Sequence, residues 1–328
     1  MLNNIGPTNA ELIDIFRKAT LIMRADEHIR GLLRSGALRA NYYSPRGQEI
    51  ISAATAVNLR SDDYAVTIYR GLHDHLAKGV PIKALMAEYF GRADGSCKGK
   101  GGCMHITHPA AGVMVTTGIV GSGMPIANGL ALASQVRGDG RVTVTNFGDG
   151  ASNIGAFGES LNMASLWKLP VVFLCQNNMF AEHTALALGT AGEIARRADG
   201  YGMPGVLVNG NDPNAMFIAA REAIERARSG EGPTLIEART FRFHGHNYGD
   251  PGAYIPKDVY EQAAAADPMP RLRRRLIDDG VLDEASVVKI EEEIEAEVVG
   301  AVAFAQASPP PDPNEVLIDV YAKQMEYA

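Results

Sequence analysis

The chain reads as an α/β protein built on a doubly wound, mostly parallel sheet flanked by helices, with helical additions at both ends. Three observations predict this class. Short runs rich in Val, Ile, Leu, Thr and Phe at 141–147, 171–176, 205–208 and 234–240 have the composition of strands buried in a sheet. Helical segments such as 213–228 separate them, and strand–helix alternation is the pattern of parallel sheets. A length of 328 residues suffices for one large domain, which would bury roughly 75% of its unfolded surface.

Taken in order, residues 9–34 place Leu12, Ile15, Phe16, Ala19, Ile22 and Met23 at helical spacing, so this helix should pack on the core or on a partner. Residues 46–59 predict a second helix, and 64–68 a short strand running into Tyr69 and Arg70. Pro81 opens a helix ending near Gly91, because proline suits a first helical turn. The glycine-rich stretch 91–121 reads as one long functional loop, since structureless runs of that size are otherwise uncommon in compact domains. From Gly155 to Trp167, the residues Phe157, Leu161 and Ala164 share one helical face. Residues 241–256 carry His244 and His246 among Gly, Asp and Pro, and read as a second active-site loop that orders on ligand binding.

The expected organisation is a single domain over 1–328, with its core at about 40–256 and a helical extension at about 257–328. The charge runs 271–275 and 291–297 in that extension read as a solvated face. Residues 308–313 form a stiff proline-rich connector, and 316–321 carry enough apolar residues to dock on a neighbouring subunit.

The chemistry concentrates at two strand ends. Gly148, Asp149 and Gly150 follow one strand run, and Asn177 and Asn178 follow the next after 26 intervening residues. Adjacent parallel strands would deliver both sets to one crevice at their carboxyl ends, where open α/β sheets hold ligands. Mg²⁺ takes oxygen ligands in near-octahedral geometry and usually one or two protein side chains, leaving the rest to phosphate and water. Asp149 offers the charge, Asn178 a neutral amide oxygen, and the Phe180 carbonyl a third ligand. Gly148 and Gly150 allow close approach of a phosphate, and the amino end of the following helix would point free N–H groups at it. Either short motif alone reads as a turn. Together, at this spacing and after two strands, they read as a cradle for a magnesium-bound diphosphate.

Further landmarks follow in order: Arg46-Gly47-Gln48-Glu49, Tyr69-Arg70-Gly71, the run from Gly99 to His105, Gly118 to Gly121, Asn162 to Pro170, and Phe243 to His246. From about residue 10 onward this series resembles the α subunits of the thiamine diphosphate-dependent 2-oxo acid dehydrogenase decarboxylase components, of pyruvate, acetoin and branched-chain types. The resemblance implies the thiamine diphosphate-binding fold, with thiamine diphosphate and Mg²⁺ as cofactors. It assigns Asp149, Asn178 and the Phe180 carbonyl to the metal, and Tyr69, Arg70 and His246 to the diphosphate. Backbone groups of Gly150 and Ala151 would also meet the diphosphate. Gly118 and Val120 would hold the aminopyrimidine, and His105 would lie near the reacting carbon, with His105 and His246 as the catalytic residues. Arg offers a planar fork suited to phosphate oxygens, and His246 is expected to donate to phosphate while titrating near neutral pH.

The resemblance further implies an enzyme active only with a β subunit, as two α and two β chains, that cleaves pyruvate or acetoin. It would pass a two-carbon unit to a lipoyl group on an acyltransferase core. A branched-chain 2-oxo acid substrate, or a non-catalytic structural subunit, is the alternative. Asn247 stands where pyruvate-type mammalian relatives carry a phosphorylatable Ser, and the corresponding later position is Tyr254, so kinase control through those serines is not expected.

Composition narrows the classes. A net charge of −7 argues against general nucleic-acid binding. No apolar run reaches the roughly 18 residues of a membrane span. The amino terminus interleaves Arg17, Lys18 and Arg24 with Glu11, Asp14 and Asp26, unlike an acid-poor transit peptide, and a cytoplasmic location is expected. The three cysteines lack a C-x-x-C pair. Cys97, Cys103, His105 and His108 cluster, but without the long loop between two close pairs that marks zinc sites. The glycines at 118, 121 and 123 do not match the dinucleotide fingerprint, and 95–100 lacks the Walker spacing.

Overall fold

The computed structural model describes residues 6–319. Thr8 caps the first helix, α1 (Asn9–Ser35), through a reciprocal capping box with Glu11, and Gly36 closes it in the left-handed conformation. Then follow α2 (Glu49–Ala56), β1 (Tyr64–Ile68), α3 (Leu72–Lys78), α4 (Ile82–Tyr89), β2 (Val113–Thr117) and α5 (Gly123–Arg137). The central part continues with β3 (Thr143–Gly148), α6 (Gly155–Trp167), β4 (Val171–Asn177), the short β5 (Phe180–Ala181) and β6 (Thr184–Ala185), and α7 (Leu186–Gly189). Next come β7 (Gly205–Asn209), α8 (Pro213–Arg228), β8 (Thr234–Arg239), α9 (Lys257–Ala265), α10 (Pro268–Asp278) and α11 (Glu284–Ala307).

Six strands form one sheet in the order β2-β1-β3-β4-β8-β7, and every pairing is parallel. Strand β1 leads outward to β2, while β3 leads the other way to β4, so the direction of winding reverses between β1 and β3. A crevice opens there at the carboxyl ends of the strands.

Period-two alternation sends side chains to both faces. On β4, Val172 and Leu174 join the larger apolar cluster, while Val171, Phe173 and Cys175 join the second. The larger cluster also takes Ile15, Phe16 and Ile22 from α1, Leu272 and Leu276 from α10, and Val287, Ile294 and Val298 from α11. The C-terminal helices are therefore more than a solvated bundle. Their charges face water, but the apolar stripe between them is part of the main core.

The stretch 91–121 departs from the expectation of a single loop. It contains β2, an edge strand whose Val113, Val115, Thr116 and Thr117 pair with β1. The β-branched residues favour extended backbone, but the surrounding glycines mask that signal, and the partner strand lies far back in the sequence. Helices α3 and α5 were likewise not anticipated. Residues 316–319 are described and the remainder of the expected docking tail lies outside the described residues.

Candidate active site

Register places the two strand-end motifs side by side. Gly148 of β3 lies opposite Gln176 of β4, so Asp149 and Asn178 leave adjacent strands at the same edge of the sheet. Asp149 is only 2% exposed, and no Lys or Arg among the described residues closes an ion pair with it. Burial raises its carboxyl to about 6, against the pull of its own backbone N–H, the Arg242 charge and the backbone N–H of Asn178. A buried carboxylate left in this state is poised for a cation.

Asn178 is also buried, and its Nδ2 donates to Gln48 Oε1 at 2.7 Å. Its Oδ1 accepts the Phe180 N–H at 3.3 Å, which folds residues 178–180 into a tight turn with Met179 at φ 73°. A Cβ at Gly150 would stand 2.7 Å from the Ala181 Cβ, so only glycine lets this turn pack on the segment after β3.

Tyr69, Arg70 and His246 also meet, although 176 residues separate the last two. The Tyr69 and His246 rings lie 5.9 Å apart, and Tyr43 packs edge-on against both. Arg70 is buried and donates to the backbone carbonyls of Ser44 and His246 at 2.7 and 2.9 Å. With no carboxylate paired to it among the described residues, burial and the nearby Arg242 lower its guanidinium to about 10. Arg242, which the sequence reading passed over, is 1% exposed and donates to the Glu182 carbonyl and the Tyr254 hydroxyl. Two buried guanidinium groups without carboxylate partners make the crevice attractive to an anion such as a diphosphate.

The expected titration of His246 near neutral pH does not hold in this site. Burial, with Arg70 and Arg242, lowers it to about 4. The ring is therefore neutral at pH 7, and its Nδ1 is buried without a partner.

His105, midway along the glycine-rich stretch, and Gly118, near its end, are brought together. A Cβ at Gly118 would lie 3.4 Å from His105 Cε1 and 3.0 Å from Met104 Cε, so the ring packs over bare backbone. Val120 follows on the same loop and is half-exposed, and Ala151 is buried behind Asp149. The sequence-derived site residues thus gather at one edge of the sheet, from the ends of β1, β2, β3, β4 and β8. Cys97, Cys103 and His108 point elsewhere: Cys97 Sγ takes the Thr107 N–H, Cys103 donates to the Asn41 carbonyl, and His108 Nδ1 takes the Ala111 N–H.

Gly47 joins this edge to the preceding loop. Its φ is +102°, and a Cβ there would fall 2.0 Å from the Phe241 carbonyl oxygen. Asp250 organises the 241–256 loop, accepting the His246 N–H at 2.6 Å, the Gly252 N–H at 2.9 Å and the Tyr254 hydroxyl at 2.9 Å.

Comparison with known proteins agrees with this arrangement. Residues 17–314 match the family described as dehydrogenase E1 component. The α subunit of an acetoin:2,6-dichlorophenolindophenol oxidoreductase from Bacillus subtilis is 38% identical, over 96% of this chain and 94% of its own length. Its counterpart from Cupriavidus necator is 39% identical, over 94% of each chain. A pyruvate dehydrogenase E1 component α subunit from Rhizobium meliloti is 36% identical, over 93% of this chain and 88% of its own length.

Proposed function

The chain belongs to the dehydrogenase E1 component family, and from that premise we propose that it is the α subunit of a thiamine diphosphate- and Mg²⁺-dependent oxidoreductase acting on pyruvate or acetoin. The observation that carries this reading is the buried Asp149 carboxylate beside Asn178, with Arg70 and Arg242 buried nearby and neither paired to a carboxylate among the described residues. Such a site would offer one negative point to a divalent ion and two positive ones to a diphosphate.

In this reading Asp149, Asn178 and the Phe180 carbonyl hold Mg²⁺. Tyr69, Arg70, His246 and the backbone of Gly150 and Ala151 would hold the diphosphate, and the buried Arg242 would add positive charge to the crevice. A neutral His246 donates a hydrogen bond without requiring a second buried cation beside the guanidinium groups. Gly118 and Val120 would hold the aminopyrimidine through their backbone, and the Val120 side chain would help to keep the cofactor bent. His105, whose ring packs over Gly118, would manage a proton at the reacting carbon. The coenzyme, when bound, supplies the electron sink for the charge left as the bond beside the carbonyl breaks.

The surface supports a second chain. Ile119, Val136 and Leu166 are 72, 79 and 73% exposed, and Val120, Met163 and Trp167 add to the apolar area on and around α5 and α6. A monomer has little reason to leave so much apolar surface in water. A β subunit, in an assembly of two α and two β chains, would cover this face and complete the site. Transfer of the two-carbon unit to a lipoyl group on an acyltransferase core follows from the same reading. No helix among the described residues is long and apolar enough to cross a membrane.

The test is reconstitution with the β subunit, thiamine diphosphate and Mg²⁺, followed by rates with pyruvate, acetoin and branched 2-oxo acids. Turnover of pyruvate or acetoin is expected. An assembly that retains no cofactor sinks the reading, turnover of branched acids alone selects the other substrate class, and cofactor binding without turnover selects a structural role.

A further inference from the structure

We infer that Gln48 is a positioning residue for the cation: together with Asp74 and Gln176 it turns the Asn178 amide so that its oxygen, not its nitrogen, faces the metal site. This rests on the metal assignment proposed above. The argument is one of donors and acceptors. Asp74 is buried and, as a carboxylate, can only accept; it takes the hydroxyls of Ser52 and Thr67 and the Gln176 Nε2 at 3.0 Å. The NH₂ end of Gln176 is thereby fixed toward Asp74, and it donates as well to Asn146 Oδ1 at 3.2 Å.

The other end of Gln176 must then be its oxygen. That oxygen accepts Gln48 Nε2 at 3.1 Å and the His73 Nε2 at 2.5 Å. With its nitrogen so engaged, Gln48 presents Oε1 to Asn178 Nδ2 at 2.7 Å. All these side chains are buried, so reversing any one amide would set like ends against each other with no water to compensate. The polarity of Asp74 therefore propagates through two amides to Asn178.

The relay opposes a local preference. Beside an ionised Asp149 and without a cation, the favourable arrangement for Asn178 would present its NH₂ to that carboxylate, closing the site against metal. Gln48 removes this option by occupying the NH₂ group. One lone pair of Asn178 Oδ1 takes the Phe180 N–H, and the other remains for a ligand.

The probe is Mn²⁺, followed by electron paramagnetic resonance in the presence of thiamine diphosphate, on the full chain co-expressed with its β subunit. Gln48→Leu removes the acceptor and should weaken Mn²⁺ binding by roughly tenfold or more. In an Asn178→Asp background both ends are oxygens and orientation no longer matters, so adding Gln48→Leu should cost little. Wild-type-like Mn²⁺ binding by Gln48→Leu, or an equal loss in the Asn178→Asp background, overturns the relay while leaving the metal site intact. If Gln48→Leu does not fold, Gln48→Met, which keeps the length of the side chain and removes the amide, takes its place, and wild-type-like Mn²⁺ binding by that variant overturns the relay. Absence of Mn²⁺ binding by the unaltered assembly overturns the metal assignment and the relay together.

Discussion

The carboxylate of Glu88, at the end of α4, accepts the backbone N–H of Gly101 at 2.7 Å from beneath the glycine-rich loop. It accepts three more from the same loop, from Cys97, Gly99 and Gly102 at 2.8, 2.9 and 3.0 Å, and is itself fully buried. One side chain thus serves as the floor on which the segment leading to His105 is folded. The glycines are needed because a Cβ at Gly95 would meet Glu88 Oε2 at 2.3 Å, while Gly99 and Gly102 adopt φ of 75° and 56°.

Replacing Glu88 by Gln leaves an NH₂ where an acceptor is required, so the N–H groups on that side lose their partner. The expected cost is about 2–4 kcal/mol of stability. Urea denaturation gives the total, and amide exchange at 97–102 should accelerate more than exchange in β3 or β4. Uniform acceleration across the sheet would show that Glu88 does not act on this loop.

Asp149 predicts a pH dependence of the cofactor-free protein. Its folded carboxyl, at about 6, lies above the ordinary 3.8, so the folded state holds the proton more tightly than the unfolded one. Stability from this group therefore falls as pH rises from about 4 to about 6, and the full cost persists above that window. Asp149→Asn should stabilise the cofactor-free protein at pH 8 by an amount on the order of 2–3 kcal/mol, and the gain should vanish at pH 4. The same substitution should abolish Mg²⁺-dependent retention of thiamine diphosphate. A variant no more stable than its parent at pH 8 would mean that the carboxylate is solvated or paired.

His246 should titrate near 4 in the cofactor-free protein, because burial and the charges of Arg70 and Arg242 oppose its protonation. Being depressed below its unfolded value, it removes stability as pH falls below about 6.5. Inorganic pyrophosphate with Mg²⁺ would introduce opposite charge and move the titration upward. Imidazole resonances followed by NMR across pH 3–8, with and without pyrophosphate, check both statements; an unmoved His246 signal would place the anion elsewhere.

The apolar face around α5 and α6 predicts separable folding and assembly. Leu166→Glu changes a side chain that is 73% exposed, so the stability of the isolated chain should move by no more than about 0.5 kcal/mol. Its association with the proposed β subunit, measured by light scattering on a sizing column, should weaken by roughly tenfold or more. Unchanged association would move the interface to another face.

Much of this protein is local in origin. The helix from Gly155 to Trp167, the strand 64–68 and the helix 213–228 have the bounds that their sequence pattern predicts, because hydrophobic periodicity and local signals, such as Asp212 and Pro213 at the start of α8, act within a few residues. The arrival of Asp149 and Asn178 at one edge was also legible, since two strand ends that pair in parallel bring their following loops to the same side.

Other features were hidden because they depend on partners distant in the chain. β2 is a strand through its register with β1, Arg242 is buried with no carboxylate paired to it among the described residues, and Gln48 reaches Asn178 across 130 residues. Periodicity and turn chemistry are read within a short window, so the amino-acid order by itself determined the elements and the edge of the sheet at which the chemistry gathers. The tertiary structure alone decided which polar groups became buried, and so which amide ends must face one another, because only desolvation makes an unmet donor or acceptor costly enough to set a direction.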